Sequence, residues 1–501
     1  MSMHWLDWVM VVAFFGVMLI IGFVSKKSVK NSADFFVGGG RIPWWLSGIS
    51  HHVSGYSGVV FVGYAGIAYI NGISIYFWWA VNIAIGVSVA AIFIAPRWPR
   101  LRRSLGIQSP TEYLKMRYNQ STQVLIAISG IVVKLLDVGA KWASMGILLY
   151  GFTGMPIWIG IIVSSLVSLV YIAVGGLIAD LWTDFAQFVV QIVAGLVLFI
   201  GVLIHLGDYG LNFFTVFSSL PEANTAVFNA GRGQGSLTWT LLYFFVIFFS
   251  YSGGTWNLAA RFISTPNDNE AKKAAFLSAA LYLVWPFVLF FPMWCGPLLF
   301  PGMTQGAAEA NLYAMLTNKF LPIGLIGLVL SSMFANTLSM CTSDANTISA
   351  VLTRDIIPIF KPEMRNVESD DKKSLYYARL TTIVFTALTI IVALFRDQLG
   401  GVTGLILTWF AALLGPTAIP LILGLLPAFK HCDGRASFWS IIAGLSVFAA
   451  TKLGLKFQPD IAVIAPLATS FIVFSGIGLY NKYMAKKPVS AEVEKLMVEL
   501  S

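Results

Sequence analysis

Asp184, in the run Leu181-Trp182-Thr183-Asp184-Phe185, is the side chain of this sequence with the strongest reason to do chemistry. A carboxylate inside an apolar span costs roughly 2.5–3.5 kcal/mol on insertion scales, and it turns toward the bundle interior and a partner. It serves an ion path there, or it is a cap or salt bridge near one face. A second group, Lys134, Asp137 and Lys141, lies within Val133–Met145. Spacings of three and four stack these residues on one helix face. Two cations and one anion leave a surplus positive charge unless a fourth partner exists. The trio reads as a ladder that fixes helix packing or as part of a substrate site. His51 and His52 are adjacent, so their side chains diverge on a helix, and no third metal ligand is in view. Cys295, Cys341 and Cys432 are too few and too scattered for a disulfide framework or a CxxC site. No HExxH, GxSxG or P-loop string occurs, which leaves an enzyme reading without its machinery.

The elements that carry these groups are apolar helices, and two of them look broken. Residues 44–70 hold Gly48, Gly55, Gly58, Gly63 and Gly66 with serines between them. Glycine costs about 1 kcal/mol in a helix interior, so Ser54-Gly55-Tyr56-Ser57-Gly58 predicts an unwound turn at mid-membrane. Residues 247–260 hold a second weak point at Gly253-Gly254. Interrupted helices near the midplane expose carbonyls to a cation and helix N-termini to an anion, a recurrent transporter device. Glycines that only allow close helix packing are the plainer alternative. Two breaks five spans apart favour function.

Of 501 residues, 57% are hydrophobic and 11% charged, with mean hydropathy +0.79. A soluble surface would need about a quarter charged residues, so the bilayer is the solvent. Thirteen spans are predicted, at about 6–25, 44–70, 73–95, 122–150, 156–173, 182–205, 237–257, 275–300, 321–350, 380–395, 402–427, 437–454 and 462–480. The first lacks the basic flank of a cleavable signal peptide. With the N-terminus outside, inside segments hold 25 of the 32 Lys and Arg residues and outside loops hold five. That positive-inside bias places the C-terminus in the cytoplasm of an inner-membrane protein. The same bias absorbs the net charge of +9 without a nucleic-acid partner. Residues 1–487 form one membrane domain, and 488–501 a short cytoplasmic tail with Val493, Leu496, Met497 and Leu500 on one helix side. The outside connection 206–236 and the inside loop 354–379 are polar enough to carry short surface helices.

Four strings, kept in order and spacing, resemble the sodium:solute symporter family. These are Ala33-Asp34-Phe35-Phe36-Val37-Gly38-Gly39-Gly40-Arg41 before Pro43-Trp44-Trp45, and Ser109-Pro110-Thr111-Glu112-Tyr113-Leu114 with Arg117-Tyr118. The others are Gly175-Gly176-Leu177 with Trp182-Thr183-Asp184 and Gln187, and Ser339–Asn346 with Thr353-Arg354-Asp355-Ile356. The resemblance implies an all-α LeuT-type fold with inverted five-helix repeats in helices 2–6 and 7–11. It also implies alternating access around a midplane site.

The likeness assigns site residues too. The family's shared sodium site falls on the carbonyls of Val53, Tyr56 and Asn336 and the Ser339 hydroxyl. Met340 stands where many members carry a hydroxyl, and a thioether is a poor ligand for a hard cation. Either Thr337, Asn336 or Ser57 then supplies the missing oxygen, or the site is weaker than is usual in the family. Members that bind a second sodium use residues matching Asp184, Thr342 and Ser343. Asp344 differs from Ser343 by about 100° on the helix and receives no ligand role. Asp137 falls where sugar-carrying members place a polar side chain. Ser57, Trp78, Lys134, Trp256, Asn257 and Trp409 are the other candidates for a solute cavity.

Val59 and Val60 follow the first break and Gly55 lies in it, so neither the sugar-type nor the proline-type pattern is met. The expected activity is sodium-coupled import of a small polar organic solute by a monomer. A sugar or sugar acid comes first, since the surplus charge at Lys134 would answer a carboxylate; an amino acid or monocarboxylate comes second. A membrane sensor or a channel is the rival of another class, and saturable, accumulating, sodium-dependent uptake separates a carrier from both.

Overall fold

A computed structural model describes residues 3–230, 233–366, 372–405, 411–454 and 459–501. Helices fill the chain, and among the described residues there is no strand, as expected where lipid cannot satisfy an open backbone. Nine described helices are long and apolar enough to cross a membrane, and the bent pair Trp44–Val53 and Gly58–Asn71, 46° apart, adds a tenth. The other predicted spans fall on shorter helices: Ile157–Leu169 and Leu414–Leu423, and Gly434–Phe448. The connection 206–236 carries short helices at Thr215–Ser219 and Glu222–Thr225. The C-terminal helix Ala491–Leu500 buries Val493, Leu496, Met497 and Leu500, and the Leu500 carbonyl accepts from Arg100 Nη1 at 2.7 Å.

Six helices position the site: α1 (Trp44–Val53), α2 (Gly58–Phe61), α3 (Gln120–Thr153), α4 (Ile157–His205), α5 (Asn257–Ile263) and α6 (Leu325–Val351). Helix α4 joins two predicted spans and breaks between them at Gly176, with φ 55° and ψ −155°. A Cβ there would lie 2.6 Å from the Phe35 ring, so close approach and a positive φ together demand glycine. That contact joins the first and third family strings. The second and fourth meet through Ser109 Oγ donating to Asp355 Oδ2 at 2.9 Å and the Arg354–Glu112 pair at 2.8 Å. Helix α6 packs along α4 and is buried along most of its length.

Candidate functional site

Both predicted breaks exist. Helix α1 ends at Val53, residues 54–57 turn, and Ser57 starts α2 as its N-cap, its hydroxyl accepting from Val59 N at 3.3 Å. Gly58 N donates to Thr337 Oγ1 at 2.8 Å, which ties the break to α6. A Cβ on Gly55 would lie 1.6 Å from Tyr282 Oη. The helix Leu237–Phe249 unwinds through Ser250–Gly254, with Gly253 at φ 124°. Trp256 then holds φ 60°, strained for a bulky L-residue, before α5 begins.

Asn336 and Ser339 of α6 are fully buried behind the first break. Asn336 Nδ2 donates to Ser332 O at 2.7 Å, while its Oδ1 is a buried acceptor with no donor among the described residues. A stranded buried oxygen costs about 1–3 kcal/mol unless something answers it. Of the three oxygens that could replace the one lost at Met340, this is the uncommitted one. The Thr337 hydroxyl serves Gly58 N and donates to Met333 O, and Ser57 caps α2.

Asp184 is buried, and its partners differ from the expected set. Oδ1 accepts from Ser339 Oγ at 2.5 Å. Oδ2 accepts from Ser50 Oγ, from Ser54 Oγ at 3.4 Å and from Arg261 Nη2 at 3.1 Å. Two further residues that no sequence motif marks complete the set: Arg261 of α5 and Asp180, one turn before Asp184 on α4. Asp180 Oδ2 accepts from Arg261 Nη2 at 2.6 Å and from Ser343 Oγ at 2.8 Å. Its Oδ1 accepts from Thr342 Oγ1 at 2.5 Å. Arg261 also donates to the Ser343 hydroxyl. Of the three residues expected to hold a second sodium, Asp184 and Ser343 therefore meet a guanidinium, and Thr342 bonds the Asp180 carboxylate that pairs with it. The spacing of four to Asp184 was the available signal for Asp180; nothing local announced Arg261.

The charged trio of α3 is completed by Asp344. Lys134 Nζ lies 3.2 Å from Asp137 and 2.6 Å from Asp344, and Lys141 Nζ lies 2.8 Å and 2.7 Å from the same two carboxylates. All four side chains are at least 97% buried. The surplus positive charge read from the sequence is absent, because two cations meet two anions. The 100° that turned Asp344 away from Ser343 aims it at α3.

A cavity of about 70 Å³ lies against the break, room for about five waters. Ser57, Asp137, Lys141 and Met340 line it, as do Val59 and Val60. Met340 thus faces the cavity with its sulfur side chain. Of the candidate tryptophans, Trp78 is fully buried against Trp239 and Tyr243, and its neighbour Trp79 lines the cavity instead. Trp256 is closed off against Gly130. Asn257 and Lys134 sit behind the wall, Lys134 Nζ 3.4 Å from Asn257 Oδ1. Trp409 lies outside the described residues. His51 bonds Ser278 Oγ at 2.7 Å, His52 packs among Tyr56, Tyr282 and Phe188, and no His, Cys, Asp or Glu cluster among the described residues could hold a metal.

Known proteins share this architecture. The chain is 26% identical over 460 residues to the human sodium/iodide cotransporter, covering 89% of this chain and 68% of that one. It is 25% identical to the sodium/sialic acid symporter NanT of Aliivibrio fischeri, covering 76% and 74%. The substrate-bound outward-open structure of a Na+-coupled sialic acid symporter superposes with a TM-score of 0.78 at 20% identity, covering 95% of this chain and 97% of that one. The fold is LeuT-type, an all-helical transporter architecture. The family model described as "Sodium:solute symporter family" matches residues 35–444. This multi-pass membrane protein, a transporter and not an enzyme, belongs to the sodium:solute symporter family.

Proposed function

We propose that the protein is a monomeric inner-membrane symporter that couples sodium entry to import of a small polar organic solute by alternating access. The observation that carries this reading is the meeting of the first break with α6 beside a small cavity lined by Ser57, Asp137 and Lys141. The carbonyls of Val53, Tyr56 and Asn336 and the hydroxyl of Ser339 are hard oxygen donors on two separate elements. The stranded Asn336 Oδ1 suits the ligand place that Met340 leaves empty. A sodium ion held there would lock the α1–α2 turn against α6. Ser57, Val59 and Val60 on one side of that seam and Met340 on the other line the cavity, so the ion would set the cavity's shape. That is coupling by geometry, and it needs no contact between ion and solute.

For the solute, a sugar or sugar acid remains the first reading. Lys141 offers donors and Asp137 acceptors to hydroxyls at the cavity wall, and Trp79 and Tyr64 supply aromatic faces. Similar proteins are named for sialic acid. An amino acid is the second reading, favoured by the neutrality of the four-residue cluster: a carboxylate can meet Lys141 while an ammonium meets Asp137. Proteoliposomes challenged with radiolabelled sugars, uronates and amino acids, with and without a sodium gradient, test both. Sodium-driven accumulation above equilibrium is expected; sodium-indifferent, non-accumulating flux of every solute would rule the symport reading out.

A further inference from the structure

We infer that Arg261 is a resident cation in the place of a second sodium, and that Asp180 neutralises it so that Asp184 supplies the negative charge for one transported sodium. This rests on the sodium-coupled reading above. The guanidinium is fully buried, as is Asp184, and Asp180 is 1% exposed. Arginine keeps its proton under all ordinary conditions, so the cation is permanent and cannot leave with the solute. Its Nε donates to Ser50 Oγ at 2.9 Å and Nη2 reaches Ser54 Oγ at 3.1 Å, besides Asp180, Asp184 and Ser343. The oxygens that a second sodium would take are already committed. Thr342 donates to Asp180, and Ser343 donates to Asp180 while accepting from Arg261.

Two carboxylates against one guanidinium leave one uncompensated negative charge, and the geometry says where it sits. Arg261 is nearer Asp180 (2.6 Å) than Asp184 (3.1 Å). Asp180 takes its hydroxyl bonds from Thr342 and Ser343, a turn further along α6. Asp184 takes its hydroxyl bonds from Ser50 in the last turn of α1, Ser54 of the break and Ser339 facing it. With its proton given to Asp184, Ser339 Oγ keeps its lone pairs for a cation, and a bond to a charged acceptor of this kind is among the stronger ones. Asp184 thus answers the hydroxyl missing at Met340 with charge.

Equilibrium binding of 22Na+ to the purified full-length protein counts ions directly and needs no knowledge of the solute. The wild type should bind one sodium with a Hill coefficient of one. Asp180→Asn, nearly isosteric, lets Arg261 neutralise Asp184 and should weaken binding at least tenfold with the count unchanged. Arg261→Lys should keep one ion; Arg261→Met should open the place for a second. Two ions bound by the wild type, or wild-type affinity in well-folded Asp180→Asn, would overturn the inference while leaving sodium coupling intact. No sodium binding at all would instead sink the reading on which it rests. Should Arg261→Met fail to fold, the wild-type count and the Asp180→Asn affinity still decide.

Discussion

Replacing Asp344 with Asn removes one charge from the closed cluster of Lys134, Asp137, Lys141 and Asp344 and keeps the side chain's shape. Each lysine lies 2.6–2.7 Å from an Asp344 oxygen, worth about 6 kcal/mol of Coulomb attraction per pair at an effective dielectric of about 20. Most of that is offset by desolvation, and breaking a buried pair by removing one partner costs about 3–5 kcal/mol net. The cost arises because two buried ammonium groups are left with one carboxylate. It should therefore be reversible by charge: Asp344→Asn combined with Lys134→Met restores neutrality and should melt well above the single variant. Sixteen tryptophans give an intrinsic fluorescence signal for thermal unfolding in detergent. An Asp344→Asn variant that melts like the wild type, or a double variant no better than the sum of two singles, would refute the closed-cluster reasoning. Neighbouring residues should couple by about 0.5–3 kcal/mol.

Ser339→Ala removes a buried hydroxyl from the expected sodium ligands, at about 1–3 kcal/mol, and should raise the sodium concentration for half-maximal uptake; unchanged sodium dependence in well-expressed protein would refute its role. Gly55→Ala forces a methyl group into Tyr282 Oη and should sharply lower folded yield, with Tyr282→Phe on the same chain restoring part of it. A C-terminal fluorescent fusion should light up in the cytoplasm, and a periplasmic C-terminus would contradict both the charge bias and the thirteen spans.

What composition and periodicity made legible was the helices, because lipid leaves the backbone one local solution and apolar runs announce it. The breaks were legible for a related reason. Gly55 and Gly253 sit where a side chain would strike Tyr282 or Trp98, and glycine in a helix interior is costly enough to be read as a signal. The predicted spans 156–173 and 182–205 fall on the single run Ile157–His205, interrupted by non-helical backbone at Gly176.

The site was half legible, and the missing half has one cause. Asp184, Lys134, Asp137 and Lys141 stood out because each is costly in an apolar run. Their partners, Asp180, Arg261 and Asp344, were just as costly but were explained away locally. Helical angle alone turns Asp344 away from Ser343, and neither Asp180 nor Arg261 lies in a string that marks it. Charge balance offers a rule that local geometry does not. An apolar bundle keeps a surplus buried charge only at high cost, so the trio of α3 demands one more anion, which Asp344 of α6 supplies. The same rule applied to Asp180, Asp184 and Arg261 gives the opposite result, a deficit of one positive charge. The four-residue cluster is closed and can serve as packing, whereas the Arg261 cluster is open by one charge beside the seam where the first break meets α6. A transported cation would answer a buried deficit of that kind, and that is the physical ground on which we propose sodium coupling at Asp184 and not at Asp137.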